Sequence, residues 1–390
     1  MADAIELEAN AYNRQAGPAA PKFRVWSAAG LMLTYWCPSR CACCYVHAGS
    51  EAGDPETEMS QELALACWRG VRRLAGERGR VHLTGGEPFG DFERLEEILR
   101  QGQAEGLCGL EKIETNAYWC TEDGLVRDRL VRLKALGLRK LQVSTDVYHQ
   151  RYVPMERVRR AVEVGRGVLG QEGVQVRWLD FYAEPTLVGP MGSEERSQAF
   201  RRALKRRGER LLGRAAEELA GLFPSRRYDT FADETCSRNL LGAGHVHVDG
   251  AGNVFLGTCV GIVAGKVREG ESSGLEGLWR SFDWREHPVI SVLVREGPAG
   301  LGRRAEGLGF QAAAGYAGKC HLCHAVRRFL FEQGSLKDWL GPGVCYGLRV
   351  AERQCSGGLR RGGRPAQAEG DRPLTSEGGR PKLAGQDYRP

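Results

Sequence analysis

Four cysteines lie within eight positions of this sequence, as Cys37, Cys41, Cys43 and Cys44. Three of them follow the spacing Cys-x3-Cys-x2-Cys, and three thiolates on one loop can hold three corners of a cubane iron–sulfur cluster. The fourth iron of such a cluster would stay open, so a ligand could be activated there. A closed tetrahedral zinc site is the alternative, because Cys43 or His47 could supply its fourth ligand.

A glycine turn follows the next candidate strand, in the segment Thr-Gly-Gly-Glu-Pro that ends at Pro88. Gly85 and Gly86 would let the backbone approach a ligand closely, and Glu87 can accept a hydrogen bond from an ammonium group. In a parallel α/β barrel this turn and the cysteine loop lie side by side, at the carboxyl ends of their strands. An open iron beside an amine-binding turn suits an amino acid that chelates iron.

The segments that position these residues alternate between strand and helix patterns. The predicted strands are 30–36, 81–88, 112–119, 140–148, 174–181 and a short sixth strand at 209–213. The predicted helices are 59–77, 92–106, 122–137, 155–170 and 193–207. This alternation predicts βα units and a parallel sheet. Six units are too few for an eight-unit barrel, so we predict an α/β fold with a partial (β/α)6 TIM-like barrel.

The pattern changes near residue 224, where the βα alternation ends. The segment 245–256 alternates as two short strands about an Asp-Gly-Ala-Gly turn, which predicts a hairpin. We therefore predict a small C-terminal α+β domain after the barrel, and a disordered tail because the last segment is rich in Gly, Pro and Arg. The predicted regions are a flexible N-terminus at 1–25, the barrel at 26–223, the second domain at 224–350 and the basic tail at 351–390.

Together, the cysteine spacing after the first strand and Gly-Gly-Glu-Pro after the second resemble the radical S-adenosylmethionine (SAM) superfamily. The resemblance implies a [4Fe–4S] cluster on Cys37, Cys41 and Cys44, with SAM bound at the open iron. It implies an enzyme that cleaves SAM reductively to a 5′-deoxyadenosyl radical, which abstracts hydrogen from a substrate. An electron donor such as flavodoxin or ferredoxin is the implied partner.

Two strand-end segments extend this resemblance. Glu-Thr-Asn-Ala, ending at Ala117, resembles the family's Thr-Asn-Gly, with alanine in place of glycine. Val-Ser-Thr-Asp, ending at Asp146, resembles the segment that meets the ribose and methionine parts of SAM. Strand-end hydrogen bonding is the alternative role for these polar side chains. The cofactor-binding residues that the resemblance implies are Gly85, Gly86, Glu87, Asn116, Ser144 and Asp146.

Other side chains have less defined roles, and no catalytic proton donor or acceptor is assigned. Leu-Leu-Gly-Arg-Ala resembles a segment that follows the sixth strand, so Arg214 would reach the SAM carboxylate or lie on the surface. His149 follows the fourth strand near the expected cavity and could exchange a proton. His245 and His247 alternate on a strand, either near a second cluster or in solvent.

A second set of cysteines resembles the superfamily's short auxiliary-cluster module, called twitch, which is related to the longer SPASM module. The set comprises Cys236, Cys259, Cys320 and Cys323. The resemblance implies an auxiliary [4Fe–4S] cluster with four thiolate ligands. A structural zinc site on the same four thiolates is the alternative, since zinc also favours this ligand set.

The composition of 42% apolar and 27% charged residues is ordinary for a soluble globular protein. We find no apolar run of about 18 residues and no signal-peptide pattern, so neither a membrane span nor secretion is expected. Thirteen cysteines without a secretory signal favour metal binding in a reducing compartment, and we expect a cytoplasmic protein. Much of the net charge of +6 lies in the tail, and nucleic acid is not an expected partner.

Two enzymatic functions fit these features. One is a maturase that modifies a peptide, which the basic helix at 193–207 could attract if the peptide is acidic. The other is an oxidoreductase that acts on a small molecule, which the short four-cysteine module favours. A non-catalytic iron–sulfur protein for electron transfer or redox sensing is the alternative. The Gly-Gly-Glu turn argues against that alternative, because an electron carrier has no use for it.

Overall fold

The computed structural model describes residues 5–107 and 109–348. These residues contain one eight-stranded sheet with the strand order β5-β4-β3-β2-β1-β6-β7-β8. The strands are β1 (Ala28–Met32), β2 (Arg80–Thr84), β3 (Leu110–Thr115), β4 (Leu141–Ser144), β5 (Val174–Arg177), β6 (His245–Val248), β7 (Asn253–Leu256) and β8 (Gly265–Lys266).

The helices of the described residues connect the strands and follow them. They are α1 (Ala11–Gln15), α2 (Gln61–Ala75), α3 (Phe92–Ala104), α4 (Asp123–Ala135), α5 (Met155–Leu169), α6 (Leu179–Ala183), α7 (Ser193–Arg206), α8 (Arg214–Glu218), α9 (Ser237–Leu241), α10 (Gly274–Ser281), α11 (Ile290–Arg295), α12 (Gly297–Glu306) and α13 (Lys319–Glu332). None of these helices is long and apolar enough to cross a membrane.

Strands β1 to β5 pair in parallel, and helices α2 to α5 connect them in sequence. This arrangement confirms the predicted α/β class, and the carboxyl ends of five neighbouring strands meet at one edge of the sheet. Helix α2 illustrates the packing, since Leu63, Cys67, Val71 and Leu74 lie on its predicted apolar face and are all buried. Burying a leucine of this kind stabilises the fold by about 1.5–3 kcal/mol.

The sixth parallel strand differs from the prediction. Residues 209–213 form no strand, and β6 pairs instead with the opposite edge of β1, with Ala28 beside His245. The predicted hairpin is present, because β7 pairs with β6 in antiparallel fashion. Asp249 stabilises its turn by accepting hydrogen bonds from the backbone N–H groups of Ala251 and Asn253, at 3.0 and 2.9 Å. One sheet therefore spans both predicted domains, and the boundary between them stays a prediction.

The described part of the N-terminus, which was predicted to be flexible, makes buried contacts with the rest of the fold. Asn10 caps α1 by accepting from the Asn13 N–H, and its amide donates to the carbonyls of Trp279 and Phe282 at 2.6 and 2.9 Å. Phe23 is fully buried. Buried amide hydrogen bonds and apolar contacts thus hold this segment, which composition alone did not indicate. The predicted tail at 351–390 lies outside the described residues.

Candidate active site

A cavity of about 660 Å³ lies at the carboxyl ends of the parallel strands. Its lining brings together most of the residues that the sequence assigned to the cluster and the cofactor. These residues are Cys37, Cys41, Cys44, Gly85, Gly86, Asn116, Ser144 and Asp146. They come from the ends of β1 to β4, as expected from a parallel sheet. Glu87 is the one residue of the assigned cofactor set that does not line the cavity.

The cysteine loop follows β1 and is fixed by its own backbone. Cys37 donates its N–H to the carbonyl of Gly49 at 3.1 Å, and Cys44 donates to Cys41 at 3.0 Å. Burial raises the pKa of the Cys37 thiol well above its usual value, and it also raises the pKa of Cys44. These thiols are therefore neutral until a metal centre takes them as thiolates, which would release protons.

Arg214 donates hydrogen bonds to the backbone of this loop and does not line the cavity. Its side chain is buried and donates hydrogen bonds to the carbonyls of Cys41, His47 and Ala48, at 3.2, 3.0 and 2.6 Å. Gly213 permits this approach, because a Cβ there would lie 2.5 Å from the carbonyl of Tyr45. Neither of the roles considered for Arg214 from the sequence, a carboxylate contact or a surface position, fits this burial.

Both cysteine sets offer thiol sulfurs, which are ligands of iron–sulfur clusters and of zinc. Among the described residues, three groups of potential ligand atoms lie within 4.8 Å of one another, and none contains a cysteine of either set. Four thiolates bound to one zinc ion at about 2.3 Å would lie about 3.8 Å apart. An iron–sulfur cluster takes cysteine thiolates as its ligands, so the donor type of both sets fits such a cluster.

The two glycines of the turn contact protein backbone as well as the cavity. Gly86 donates its N–H to the carbonyl of Thr34 at 2.6 Å, and Glu87 donates to Trp36 at 2.8 Å. Gly85 has a φ of 133°, in the region that favours glycine, and a Cβ on Gly86 would overlap the carbonyl of Trp36. The turn is thereby fixed against the chain that leads into the cysteine loop.

The Glu87 side chain makes its hydrogen bonds within the protein, and its contact with a ligand ammonium stays a prediction. Its carboxylate is fully buried and accepts hydrogen bonds from the Thr115 hydroxyl at 2.9 Å, the Asn116 N–H at 2.8 Å and the Phe89 N–H at 3.2 Å. Protein donors thus contact both oxygens, two of them at Oε1 and one at Oε2. Burial raises the pKa of Glu87 to about 7, although these hydrogen bonds act in the opposite direction.

Asn116 connects this network to the first cysteine. Its side-chain amide donates to the sulfur of Cys37 and to the Ser39 hydroxyl, both at 3.4 Å. Its side-chain oxygen accepts from the Tyr118 N–H at 2.8 Å. Ala117 has a φ of 66°, which is the backbone conformation that favours the glycine found here in the family's motif. Asn116 therefore contacts Cys37 in addition to lining the cavity.

Asp146 lines the cavity but is paired with His149. The Nδ1 atom of His149 lies 2.8 Å from both carboxylate oxygens, and the Tyr148 N–H donates to one of them at 3.0 Å. Burial opposes the charge of both partners, yet their mutual attraction lowers the pKa of Asp146 and raises that of His149. Cys43 completes a close group with this ion pair, with ligand atoms within 4.8 Å.

Glu209 is a cavity residue that the sequence reasoning missed. It lies in the loop that had been predicted as a strand, and burial together with the charge of Asp146 raises its pKa to about 7. A carboxyl group with such a pKa can give or take a proton near neutral pH. The only sequence signal is an acidic residue just before the Leu-Leu-Gly-Arg-Ala segment.

The histidines of β6 also lie elsewhere than expected. His245 and His247 line the large cavity, together with His82 from β2, and not the cavity of the second cysteine set. Burial lowers the pKa of His82 to about 4 and that of His245 to about 2, so both rings are neutral at pH 7. Lys112 and Glu114 lie beside them on β3 and pair at 2.9 Å.

The second cysteine set converges on a smaller cavity of about 20 Å³. Cys236 precedes α9, Cys259 follows β7, and Cys320 and Cys323 share one face of α13. Three cations line the same cavity and can offset the charge of bound thiolates: Arg210, Lys319 and Arg327. Four thiols and compensating cations fit a closed four-thiolate centre. The loop at 208–212 separates the two cavities, because Arg210 and Leu212 line both.

Comparison with known proteins finds similar solved structures. BtrN in complex with AdoMet and 2-DOIA has a TM-score of 0.43 and 16% identity, over 71% of this chain and 90% of that one. Native anSMEcpe with bound AdoMet and Cp18Cys peptide has a TM-score of 0.38 and 13% identity, over 78% and 97%. SuiB of Streptococcus suis bound to S-adenosylmethionine has a TM-score of 0.35 and 12% identity, over 83% of this chain and 77% of that one. At TM-scores below 0.5 these likenesses carry no argument here. No family model and no curated protein matches the chain.

Proposed function

We propose that this protein is a radical SAM enzyme. The observation that carries the proposal is the meeting of Cys37, Cys41 and Cys44 with Gly85 and Gly86 around one cavity of about 660 Å³. These motifs are far apart in sequence, yet the carboxyl ends of β1 and β2 bring them together. A cavity of this size can enclose a cofactor of nucleoside type together with a substrate.

In this proposal Cys37, Cys41 and Cys44 would hold a [4Fe–4S] cluster beside the space for SAM. The backbone of the Gly-Gly turn, Ser144 and the Asp146–His149 pair line the space that SAM would occupy. When bound, cluster and SAM together supply a 5′-deoxyadenosyl radical that removes hydrogen from a substrate carbon. The chain contributes orientation of the reactants and exclusion of water.

We further propose that Cys236, Cys259, Cys320 and Cys323 hold an auxiliary [4Fe–4S] cluster of the twitch or SPASM type. The convergence of these four thiols on one small cavity supports this assignment. The proposed partners are an electron donor such as flavodoxin or ferredoxin and a substrate that is a peptide or a small molecule, and the proposed location is the cytoplasm. An electron-transfer or redox-sensing protein is the competing proposal, and it gives no role to the large cavity.

The iron content and the response to SAM test the proposal. Anaerobically reconstituted protein is expected to bind about eight irons per chain, and replacement of Cys37, Cys41 and Cys44 by alanine is expected to leave about four. Addition of SAM to the reduced wild-type protein should change its electron paramagnetic resonance spectrum, because SAM binds an iron directly. A spectrum that SAM leaves unchanged would favour the electron carrier, and saturation at four irons with bound zinc would remove the auxiliary cluster.

A further inference from the structure

Three histidines from two strands meet on one face of the sheet. Gly30 of β1 lies between them in the register, beside His82 of β2 on one side and His247 of β6 on the other. His245 follows the same face of β6, two residues earlier. Their ligand nitrogens all lie within 4.8 Å of one another, which makes them one of the closest groups of metal-ligating atoms among the described residues.

The absence of a side chain at Gly30 gives these rings their space. A Cβ at this position would lie 2.7 Å from the imidazole of His82 and 2.7 Å from that of His247. The rings of His82 and His245 stack at 5.1 Å, and those of His245 and His247 meet edge to face at 4.6 Å. Any residue other than glycine would therefore displace the imidazoles from one another.

Two of these rings have a nitrogen without a hydrogen-bond partner in the described part of the chain, and the third has a lone pair that accepts from a tyrosine hydroxyl, which a metal ion would displace. The Nδ1 atom of His247 lies 2.6 Å from the carbonyl of Gly257 and so carries the proton, which leaves Nε2 as the acceptor of the Tyr45 hydroxyl at 3.1 Å. In metal sites a ligating histidine commonly donates its other N–H to a backbone carbonyl in this way. His82 Nδ1 and His245 Nε2 are buried and have no hydrogen-bond partner among the described residues.

We propose that His82, His245 and His247 bind one divalent transition-metal ion, with Zn²⁺ as the best match. Imidazole is a preferred ligand of zinc, and three protein ligands with one open position define a catalytic rather than a structural zinc site. All three histidines line the large cavity, so the open position faces the space for a substrate. The ion would bind and polarise a carbonyl or anionic group of that substrate.

The charges around the three histidines do not oppose this ion. Lys112 is the cation that lies nearest in the strand register, beside His82, and it pairs with Glu114 at 2.9 Å. Glu114 thereby offsets the positive charge of Lys112 and adds a carboxylate beside the site. The proposal depends on the histidines alone, so it stands or falls separately from the cleavage of SAM.

X-ray absorption at the zinc edge tests the site in the wild-type protein. Both cysteine sets are first filled by anaerobic reconstitution, and the protein is then dialysed against Zn²⁺ and freed of excess. We expect one zinc per chain with a nitrogen and oxygen shell at about 2.0–2.1 Å and imidazole scattering, without sulfur at about 2.3 Å. The absence of a nitrogen and oxygen shell with imidazole scattering, or no retained zinc, would overturn the proposal.

Matched variants locate the ion, with zinc affinity measured by chelator competition. His245→Gln removes one ligand and should weaken binding by at least about 100-fold, while Gly30→Ala removes none and should weaken it by at least about 10-fold. His321→Gln is the control, because that ring accepts a bond from the Ala317 N–H at 3.2 Å and does not line the cavity. Equal affinity in His245→Gln and wild type would contradict the assignment even if one zinc binds.

Discussion

The carboxylate of Glu87 accepts a hydrogen bond of 2.8 Å from the backbone N–H of Asn116. Asn116 in turn donates its side-chain amide to the sulfur of Cys37 at 3.4 Å. The glycine turn, the end of β3 and the first cysteine are thus joined in one hydrogen-bonded network. Glu87, which the sequence assigns to ligand binding, is therefore linked through Asn116 to Cys37 in this structure.

Glu87→Gln should lower stability and leave SAM binding nearly unchanged. The glutamine amide nitrogen would face one of the donors that now serve the carboxylate, and an unpaired buried polar group costs about 1–3 kcal/mol. Chemical denaturation measures the loss, and calorimetry on iron-matched protein should give a SAM affinity within about threefold of wild type. Glu122→Gln, at an exposed position, is the control. A tenfold loss of SAM affinity at unchanged stability would show that the Glu87 side chain contacts SAM.

Arg214→Met should reduce iron at the first cysteine set and leave the second filled. The substitution leaves the carbonyls of Cys41, His47 and Ala48 without their buried donor, so the loop loses its fixed shape. Iron analysis after reconstitution should give about half of the wild-type content. Arg160→Met is the control, because it removes an ion pair with the exposed Asp123 and a hydrogen bond to the carbonyl of Cys120, outside the cysteine loop. Full iron content in Arg214→Met would show that the loop forms without this guanidinium.

Gly86→Ala should lower the free energy of unfolding, whereas an alanine at an unobstructed helical glycine should raise it. The added Cβ overlaps the carbonyl of Trp36, and overpacking of this kind costs about 1–3 kcal/mol or more. Gly124→Ala is the matched control, because it lies in helix α4 with no atom within 4 Å of the new Cβ. That change should stabilise the protein by about 0.5–1 kcal/mol. Thermal unfolding of both variants measures these changes. A Gly86→Ala variant as stable as wild type would contradict the close approach of Gly86 to the carbonyl of Trp36.

The raised pKa of Glu209 predicts a specific pH dependence of stability. Between about pH 4.5 and 7 the folded protein keeps this proton while the unfolded chain has lost it, so the carboxyl group's contribution to the unfolding free energy falls as pH rises. Buried neutral histidines such as His82 act in the opposite direction, so wild type is compared with Glu209→Gln. From pH 5 to pH 7.5 the unfolding free energy of wild type should fall relative to that of Glu209→Gln. A difference that is constant with pH would exclude the shifted pKa.

Local patterns predicted the fold in the first half of the chain well. The apolar spacing of α2 and the strand–helix alternation through β5 specify parallel pairing between neighbours in sequence. The placement of β6 beside β1 could not be predicted, because that pairing joins segments more than 200 residues apart and leaves no local signal. For the same reason the meeting of His82 with the histidines of β6 was not foreseen.

In the candidate site, too, features with a local sequence signal were predicted and features that depend on distant contacts were not. Motif spacing predicted the cysteines and the turn that meet at the cavity, since these depend on strand ends alone. The hydrogen bonds of Glu87 and Arg214 within the protein were not predicted, because they depend on which buried donors and acceptors surround each side chain. Glu209 was missed because burial, and not its residue type, gives it an unusual pKa.

The most direct test of the proposed function is the formation of 5′-deoxyadenosine from SAM by reduced, anaerobically reconstituted protein. We expect the wild-type protein to form it, and we expect Cys41→Ala to form none, because that variant loses a ligand of the open cluster. Cys320→Ala, in the second set, should retain measurable cleavage and serves as the control for loss of an iron ligand elsewhere. If the wild-type protein with a full complement of iron forms no 5′-deoxyadenosine, or if Cys41→Ala forms as much, the radical SAM function proposed here is contradicted.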